Sequence, residues 1–249
     1  MKFFTFNLIL LLAIPFAPLL IVQGIWVRFI TPQLPEASGD PQGDVNASGS
    51  RPIRLLVIGE STVSGVGVAT QGEAISAQIA HSLAKRTNNP VQWKAVGGNG
   101  FTARECLREF APQIEKNSAD VVALVLGVND TTHFIHPARW ERDLEQFIYE
   151  IRERIDGVPI ILSGVPPIGQ FPTLPQPLRA LMGYRATTLD RVAQEVAQRC
   201  DDVIHCPIEL ENQPEYFCKD RFHPSATGYA IWGDHMAEAI VAMREKSNK

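Results

Sequence analysis

An excess of charge of one sign is missing from this sequence. Twenty-three lysines and arginines stand against 27 aspartates and glutamates, giving a formal net charge of −4 and a pI near 5.9. Without a basic field to gather a polyanion, nucleic-acid binding has no support. Cysteine is also scarce, and Cys106, Cys200, Cys206 and Cys218 join no acidic or histidine set at metal-ligand spacing. His133 and His136 precede Pro137, which places them in a loop, so no metal is expected. Gly65-Val66-Gly67 lacks the third glycine of a dinucleotide fingerprint and reads as a flexible loop, so no cofactor follows from it. No internal repeat occurs.

Charge is absent altogether between Lys2 and Arg28, in a run rich in Leu, Ile and Phe. Such a run is long enough to cross a hydrocarbon core of about 30 Å at about 1.5 Å per residue. Residues 1–30 therefore read as a membrane anchor or a signal peptide. Lys2 and the block Leu8 to Ile14 suit a signal peptide, but no clear small-x-small cleavage site follows, and Pro15 and Pro18 interrupt the run. These residues read as an uncleaved anchor with the globular domain on the extracytoplasmic side, or a secreted protein if the segment is removed. Residues 31–52, with Pro32, Pro35, Pro41, Gly39 and Gly43 and little apolar content, are expected to be a flexible linker.

Residues 53–249 hold enough of the 45% hydrophobic content to bury a full core. Short apolar runs at Arg54–Gly59, Val91–Val96, Val121–Gly127, Val158–Gly164 and Val203–Pro207 alternate with helical stretches near Glu73–Arg86, Ala103–Asn117, Pro137–Ile155 and Leu178–Arg199. A last helix is expected over Ala226–Lys246. Val121–Leu126 is apolar at every position, as a strand covered on both faces must be. Strands separated by helices give a parallel five-stranded sheet in a three-layer α/β/α sandwich, with an N-terminal hydrophobic helix appended.

The chemistry-bearing residues follow strand ends, where open α/β sheets bind ligands. Ser61 follows the first strand, Gly97-Gly98-Asn99-Gly100 the second and Gly127-Val128-Asn129-Asp130 the third. Asp220-Arg221-Phe222-His223-Pro224 precedes the last helix. A hydroxyl, an imidazole and a carboxylate are the parts that nucleophilic acyl transfer needs. Each residue also has an ordinary explanation: a turn serine, an Asn-Asp helix start, a capping aspartate, a loop histidine.

Gly59-Glu60-Ser61, the glycine block, Gly127-Val128-Asn129-Asp130 and Asp220-Arg221-Phe222-His223-Pro224, in that order, resemble the SGNH or GDSL-type esterase and lipase family over roughly Arg54 to Met243. The resemblance implies a flavodoxin-like sandwich and a serine esterase acting through an acyl-enzyme. Ser61 would be the nucleophile, His223 the base and Asp220 the orienting acid. The oxyanion donors would be the backbone N–H of Ser61, the N–H of Gly100 (with Gly98 the alternative) and the amide of Asn129. Glu60 departs from the family's usual Asp and adds a methylene beside the nucleophile. The substrate would be a small-molecule, lipid or glycan ester. Acyl transfer to a sugar or lipid hydroxyl, or a catalytically silent binding module, are the rival readings.

Two further expectations concern loops. Pro166–Pro177, carrying five prolines, is read as one wall of the substrate pocket. Cys106, Cys200, Cys206 and Cys218 permit three pairings if all four are oxidised, and the sequence does not choose among them; an oxidising compartment would allow Cys206 with Cys218, and free buried thiols are a reading of at least equal weight.

Overall fold

The apolar run Leu55–Ile58 becomes a strand because both of its faces find cover. In a computed structural model describing residues 4–208 and 213–247, Leu55 and Val57 pack into one core while Leu56 and Ile58 pack into another. The period of two continues in the neighbouring strands, where Val122, Leu124, Ile160 and Leu162 share the second core and Val121, Ala123 and Ile161 the first. The strands are β1 (Gln42–Val45), β2 (Ile53–Gly59), β3 (Val91–Gly97), β4 (Val121–Val125), β5 (Ile160–Ser163) and β6 (Val203–Cys206), ordered β1-β3-β2-β4-β5-β6. β2 to β6 pair in parallel, with Gly59 opposite both Gly97 and Val125.

Eight α-helices accompany the sheet among the described residues: α1 (Phe4–Ala13), α2 (Ala17–Ile30), α3 (Ile75–Thr87), α4 (Ala103–Phe110), α5 (Val128–Thr132), α6 (Pro137–Arg152), α7 (Leu178–Arg199) and α8 (Ala226–Ser247). α3 and α8 cover one face through Ile75, Ile79, Leu83, Tyr229, Trp232 and Met236. α6 and α7 cover the other through Trp140, Leu144, Phe147, Leu189 and Val196. This is the expected three-layer α/β/α arrangement. The helix expected over Ala103–Asn117 ends at Phe110, because Pro112 cannot continue it and a single 3-10 turn, Ala111–Gln113, follows.

The sheet has six strands rather than five, and it is mixed rather than purely parallel. The added strand, β1, runs antiparallel to β3 and comes from the stretch expected to be a flexible linker. That stretch buries little of its own surface, yet its backbone pairs with the open edge of β3, and the Trp93 ring lies over Gly43 about 3.1 Å from where a Cβ would sit. Further upstream, Ser38 bridges to Thr70 and the N–H of Ala37 donates to the Ser64 carbonyl at 3.1 Å. Residues 37–45 are thus stitched to the domain. α1 and α2, joined by a 3-10 turn at Pro15, form an apolar helical stretch over Phe6–Ile30, 25 residues whose most apolar 18-residue window has a mean hydropathy of 2.5. Lys2, which bears on the orientation of this segment, lies outside the described residues.

α3 and α8 meet at a glycine. A Cβ on Gly233 would stand 2.7 Å from Gln78 Cβ, 2.8 Å from Gln78 C and 2.9 Å from Ile79 N, so backbone would have to move. Gly233→Ala is expected to cost about 1–3 kcal/mol by overpacking, and each kcal/mol lowers the melting temperature of a chain this size by about 2–4 °C. Thermal unfolding followed by circular dichroism measures this; an unchanged midpoint would mean that the two helices part freely.

Candidate active site

The parallel strands run β3-β2-β4-β5-β6, so the chain winds outward from β2 to β3 and then returns across the sheet to β4. The loops leaving β2 and β4 therefore diverge from neighbouring strands and leave a crevice at the carboxyl edge. Ser61 stands in the first of these loops, in a tight turn where the N–H groups of Val63 and Ser64 both donate to the Glu60 carbonyl. Gly59 must be glycine here, because a Cβ would lie 2.2 Å from the Val125 carbonyl oxygen.

Ser61 Oγ lies 3.0 Å from His223 Nε2, and His223 Nδ1 lies 2.7 Å from Asp220 Oδ2. The turn bearing the latter two is organised by Asp220 itself. Its Oδ1 accepts the N–H of Phe222 at 2.8 Å, the N–H of His223 at 2.9 Å and the thiol of Cys218 at 3.0 Å. Burial opposes the Asp220 charge, but His223, Cys218 and the two backbone donors outweigh it and hold the carboxyl down at about 2. Burial and the Asp220 contact push the Cys218 thiol up to about 12, so it remains a donor. Tyr229 of α8 donates to the Val66 carbonyl at 2.7 Å, tying the last helix to the loop that follows Ser61.

Glu60 joins this loop to the next. Its side chain is buried; one carboxyl oxygen accepts the Gly127 N–H and the other the Asn129 N–H at 3.0 Å. The Glu60 carboxyl thus sits between the ends of β2 and β4. Burial pushes Glu60 up to about 8, the nearby Asp130 carboxyl adds to this, and the backbone donors pull the other way. Asp130, also buried, is raised to about 7 mainly by burial while accepting the Ala103 N–H at 2.9 Å.

Asn129, in the first turn of α5, donates its side-chain amide to the Phe101 carbonyl at 3.0 Å. Gly98 to Phe101 form a turn closed by Phe101 N–H on the Gly98 carbonyl, with Gly100 at φ +81, a value that favours glycine. The Gly98 N–H is committed to the Gly59 carbonyl at 3.0 Å, whereas the N–H groups of Ser61 and Gly100 donate to no group among the described residues. Ser61, His223 and Asp220 thus form one hydrogen-bonded chain. Asn129 is joined to the Ser61 turn through Glu60, and Gly100 borders Asn129 through Phe101 with no hydrogen bond to Ser61 among the described residues.

An apolar cavity opens beside Ser61 and His223. Its walls include Val128, Pro167, Phe171, Phe217, Phe222 and Trp232. Pro166, Pro167, Gln170 and Phe171 come from the proline-rich loop, which therefore supplies one wall. The ring of Phe171 meets those of Phe217 and Phe222 edge-on at 5.5 and 5.1 Å between centroids. His136 does not line this cavity; it caps α6, with Nδ1 accepting the Ala138 N–H.

Of the two readings of the cysteines, the reduced one holds: Cys206 and Cys218 are not joined, and none of the four is in a disulfide. The Cys218 thiol turns to Asp220, and the Cys206 thiol faces the carbonyls of Pro207 and His235. Sequence reasoning missed the Cys218 donor and also missed Arg185. Buried in α7 and pushed down to about 10 by that burial, Arg185 donates to the carbonyls of Thr131 and Ile135 at 3.0 and 3.1 Å. It thereby fastens the end of α5, the short helix that carries Asn129. An arginine in the apolar register of a helix is the only advance signal of this.

The raised pairs have a consequence for stability. Glu60 and Asp130 hold protons in the folded state that they release when unfolded, so between about pH 4.5 and 8 the folded form binds more protons. Their contribution is complete below about 4 and is lost as the pH climbs through 7 to 8. The thermal midpoint is expected to fall over that range, and the slope to shrink in Glu60→Gln. Melting curves at constant ionic strength test this; equal slopes in both proteins would remove Glu60 as a source.

The family model of the GDSL-like lipases and acylhydrolases matches residues 57–231. A GDSL-like esterase of Mycobacterium tuberculosis is 28% identical over 196 residues, covering 76% of this chain and 62% of that protein. The chain therefore spans somewhat under two thirds of that relative's length. Among solved structures, a lipase/acylhydrolase from Enterococcus faecalis superposes with a TM-score of 0.60 at 23% identity, over 76% of this chain and 95% of that one. A family 3 carbohydrate esterase from Clostridium thermocellum gives 0.62 at 16% identity, over 78% and 98%. These two share the fold. With the matched region running from the middle of β2 into α8, the chain belongs to the GDSL-like lipase/acylhydrolase family.

Proposed function

We propose that this chain hydrolyses carboxylic esters through an acyl-enzyme intermediate, with residues 53–249 as the catalytic domain. The observation that carries the reading is the hydrogen-bonded sequence from Ser61 Oγ to His223 Nε2 and from His223 Nδ1 to Asp220. His223 takes the Ser61 proton as Oγ attacks the ester carbonyl carbon. The tetrahedral species then collapses as the C–O bond to the alcohol breaks, and the imidazolium returns the proton to the departing oxygen. A water attacks the acyl-enzyme by the same route, releasing the acid and restoring Ser61. Asp220 stays ionised throughout at neutral pH and holds the ring in the tautomer that accepts at Nε2.

The oxyanion is assigned to the N–H of Ser61, the N–H of Gly100 and the amide of Asn129. Gly100 is preferred to Gly98 because the Gly98 N–H is already spent on Gly59. The Asn129 amide has two hydrogens, and the one not given to Phe101 is available to the developing charge. The apolar cavity suits an acyl chain or the apolar part of the alcohol. The N-terminal helix exposes Leu12, Ile14, Val22, Ile25 and Phe29, which supports its assignment as a membrane anchor for the catalytic domain.

Ser61→Ala is expected to lower kcat on p-nitrophenyl esters by a factor on the order of 10⁴ or more and to abolish labelling by a fluorophosphonate, with the fold unchanged by circular dichroism. Asn129→Ala is expected to lower kcat by about 10²–10³ with KM little altered, read from the same assay. Undiminished labelling of the Ser61 variant would refute the nucleophile assignment.

A further inference from the structure

The apolar helix meets the domain through the few polar groups it owns. Leu20, Gln23, Val27 and Thr31 follow at steps of three or four residues and so share one face of α2 and its exit. Val22, Ile25 and Phe29 occupy the opposite face and are exposed. On the inner face, Leu20 and Val27 pack against the core cluster that contains Phe171, Leu174 and Leu178. Gln23 Oε1 accepts the N–H of Leu178 at 3.1 Å, and its Nε2 donates to the Gln176 carbonyl at 2.6 Å. The hydroxyls of Thr31 and Thr173 are 3.4 Å apart.

Leu178 is the first residue of α7, and the preceding Pro177 offers no side-chain acceptor. An opening N–H of a helix needs a partner from outside the helix, and here that partner comes from the N-terminal segment. The stretch so held is the far end of the loop whose near end, Pro166 to Phe171, lines the cavity. The near end is seated separately, where Gly169 lies so close to Gly183 of α7 that a Cβ on either would fall 3.0 Å or less from the other's Cα. Between these two attachments the loop has little freedom, and the Phe171 ring is set against Phe217 and Phe222.

We propose that Gln23, seconded by Thr31, is a positioning residue for substrate selectivity: α2 lines no part of the cavity but braces from behind the loop that does. It acts by fixing the Pro166–Pro177 loop and thereby the apolar surface offered to the longer acyl chain of an ester. This rests on the ester-hydrolase reading of the Ser61 cavity. Gln23 bonds to none of Ser61, His223 and Asp220, so it bears on how the chain is held and leaves the bond-breaking groups alone.

The test compares the full-length protein with Gln23→Leu and Thr31→Val in the same detergent, by backbone hydrogen exchange and by kinetics on p-nitrophenyl acetate and octanoate. For Gln23→Leu, exchange across residues 173–180 is expected to rise by about tenfold. KM for the octanoate should increase by about five- to tenfold, while kcat on both esters stays within about twofold. Thr31→Val should move both readouts in the same direction by less. Unchanged exchange, or a loss equal for both esters, would overturn the proposal. Faster exchange with an unaltered KM ratio would overturn the selectivity role alone. Failure of the unsubstituted protein to hydrolyse either ester would instead defeat the hydrolase reading and with it the selectivity claim, and the exchange rates would still decide whether α2 holds the loop.

Discussion

A carboxyl group buried between two strand ends holds the crest of this sheet together. Glu60 belongs to the loop after β2, and its partners, the N–H groups of Gly127 and Asn129, belong to the loop after β4. Parallel strands bring such loops near one another but do not fix their relative height or tilt. A buried acid that loses a backbone donor is left with an unmet hydrogen bond costing about 1–3 kcal/mol, so the two loops are fastened in one arrangement. The Ser61 turn, the start of α5 and, through the Phe101 carbonyl, the glycine turn all take their places from that fastening.

The parts of the site that could be read in advance are those whose chemistry is local. Asp220 and His223 lie three residues apart, and the carboxylate organises the very turn that presents the imidazole. The apolar runs of β2 and β4 announced themselves because a strand covered on both faces has no polar position to disguise it. What could not be read depends on distant partners. Cys218 as a donor to Asp220, Arg185 as the anchor of α5, and Glu60 as a clasp each need knowledge of which backbone groups lie opposite. The edge strand was hidden for a related reason: Gln42–Val45 has a polar, glycine-bearing sequence with no apolar alternation, and only the unpaired backbone of β3 makes it a strand.

The N-terminal region changes character when its contacts are considered. By composition it is an apolar span followed by a tether, two pieces that could be exchanged for others of equal length. In the fold, the helix completes the first turn of α7, and the stretch after it runs along the loop that follows Ser61 before joining the sheet. Gln23, a polar residue in an otherwise apolar helix, spends its amide on the backbone at the start of α7. The apolar segment and the pocket are therefore neighbours in structure although far apart in sequence.

The antiparallel strand at the sheet margin also bears on solubility. Without it, the seven residues of β3 would present a long row of unsatisfied amides and carbonyls, a template onto which another polypeptide could align. β1 replaces that margin with one only four residues long, entered through Pro41 and bearing the charge of Asp44. A short, charged margin entered through a proline gives an incoming strand little to pair with, so the same stretch that leads away from the apolar helix also guards the sheet against edge-to-edge aggregation.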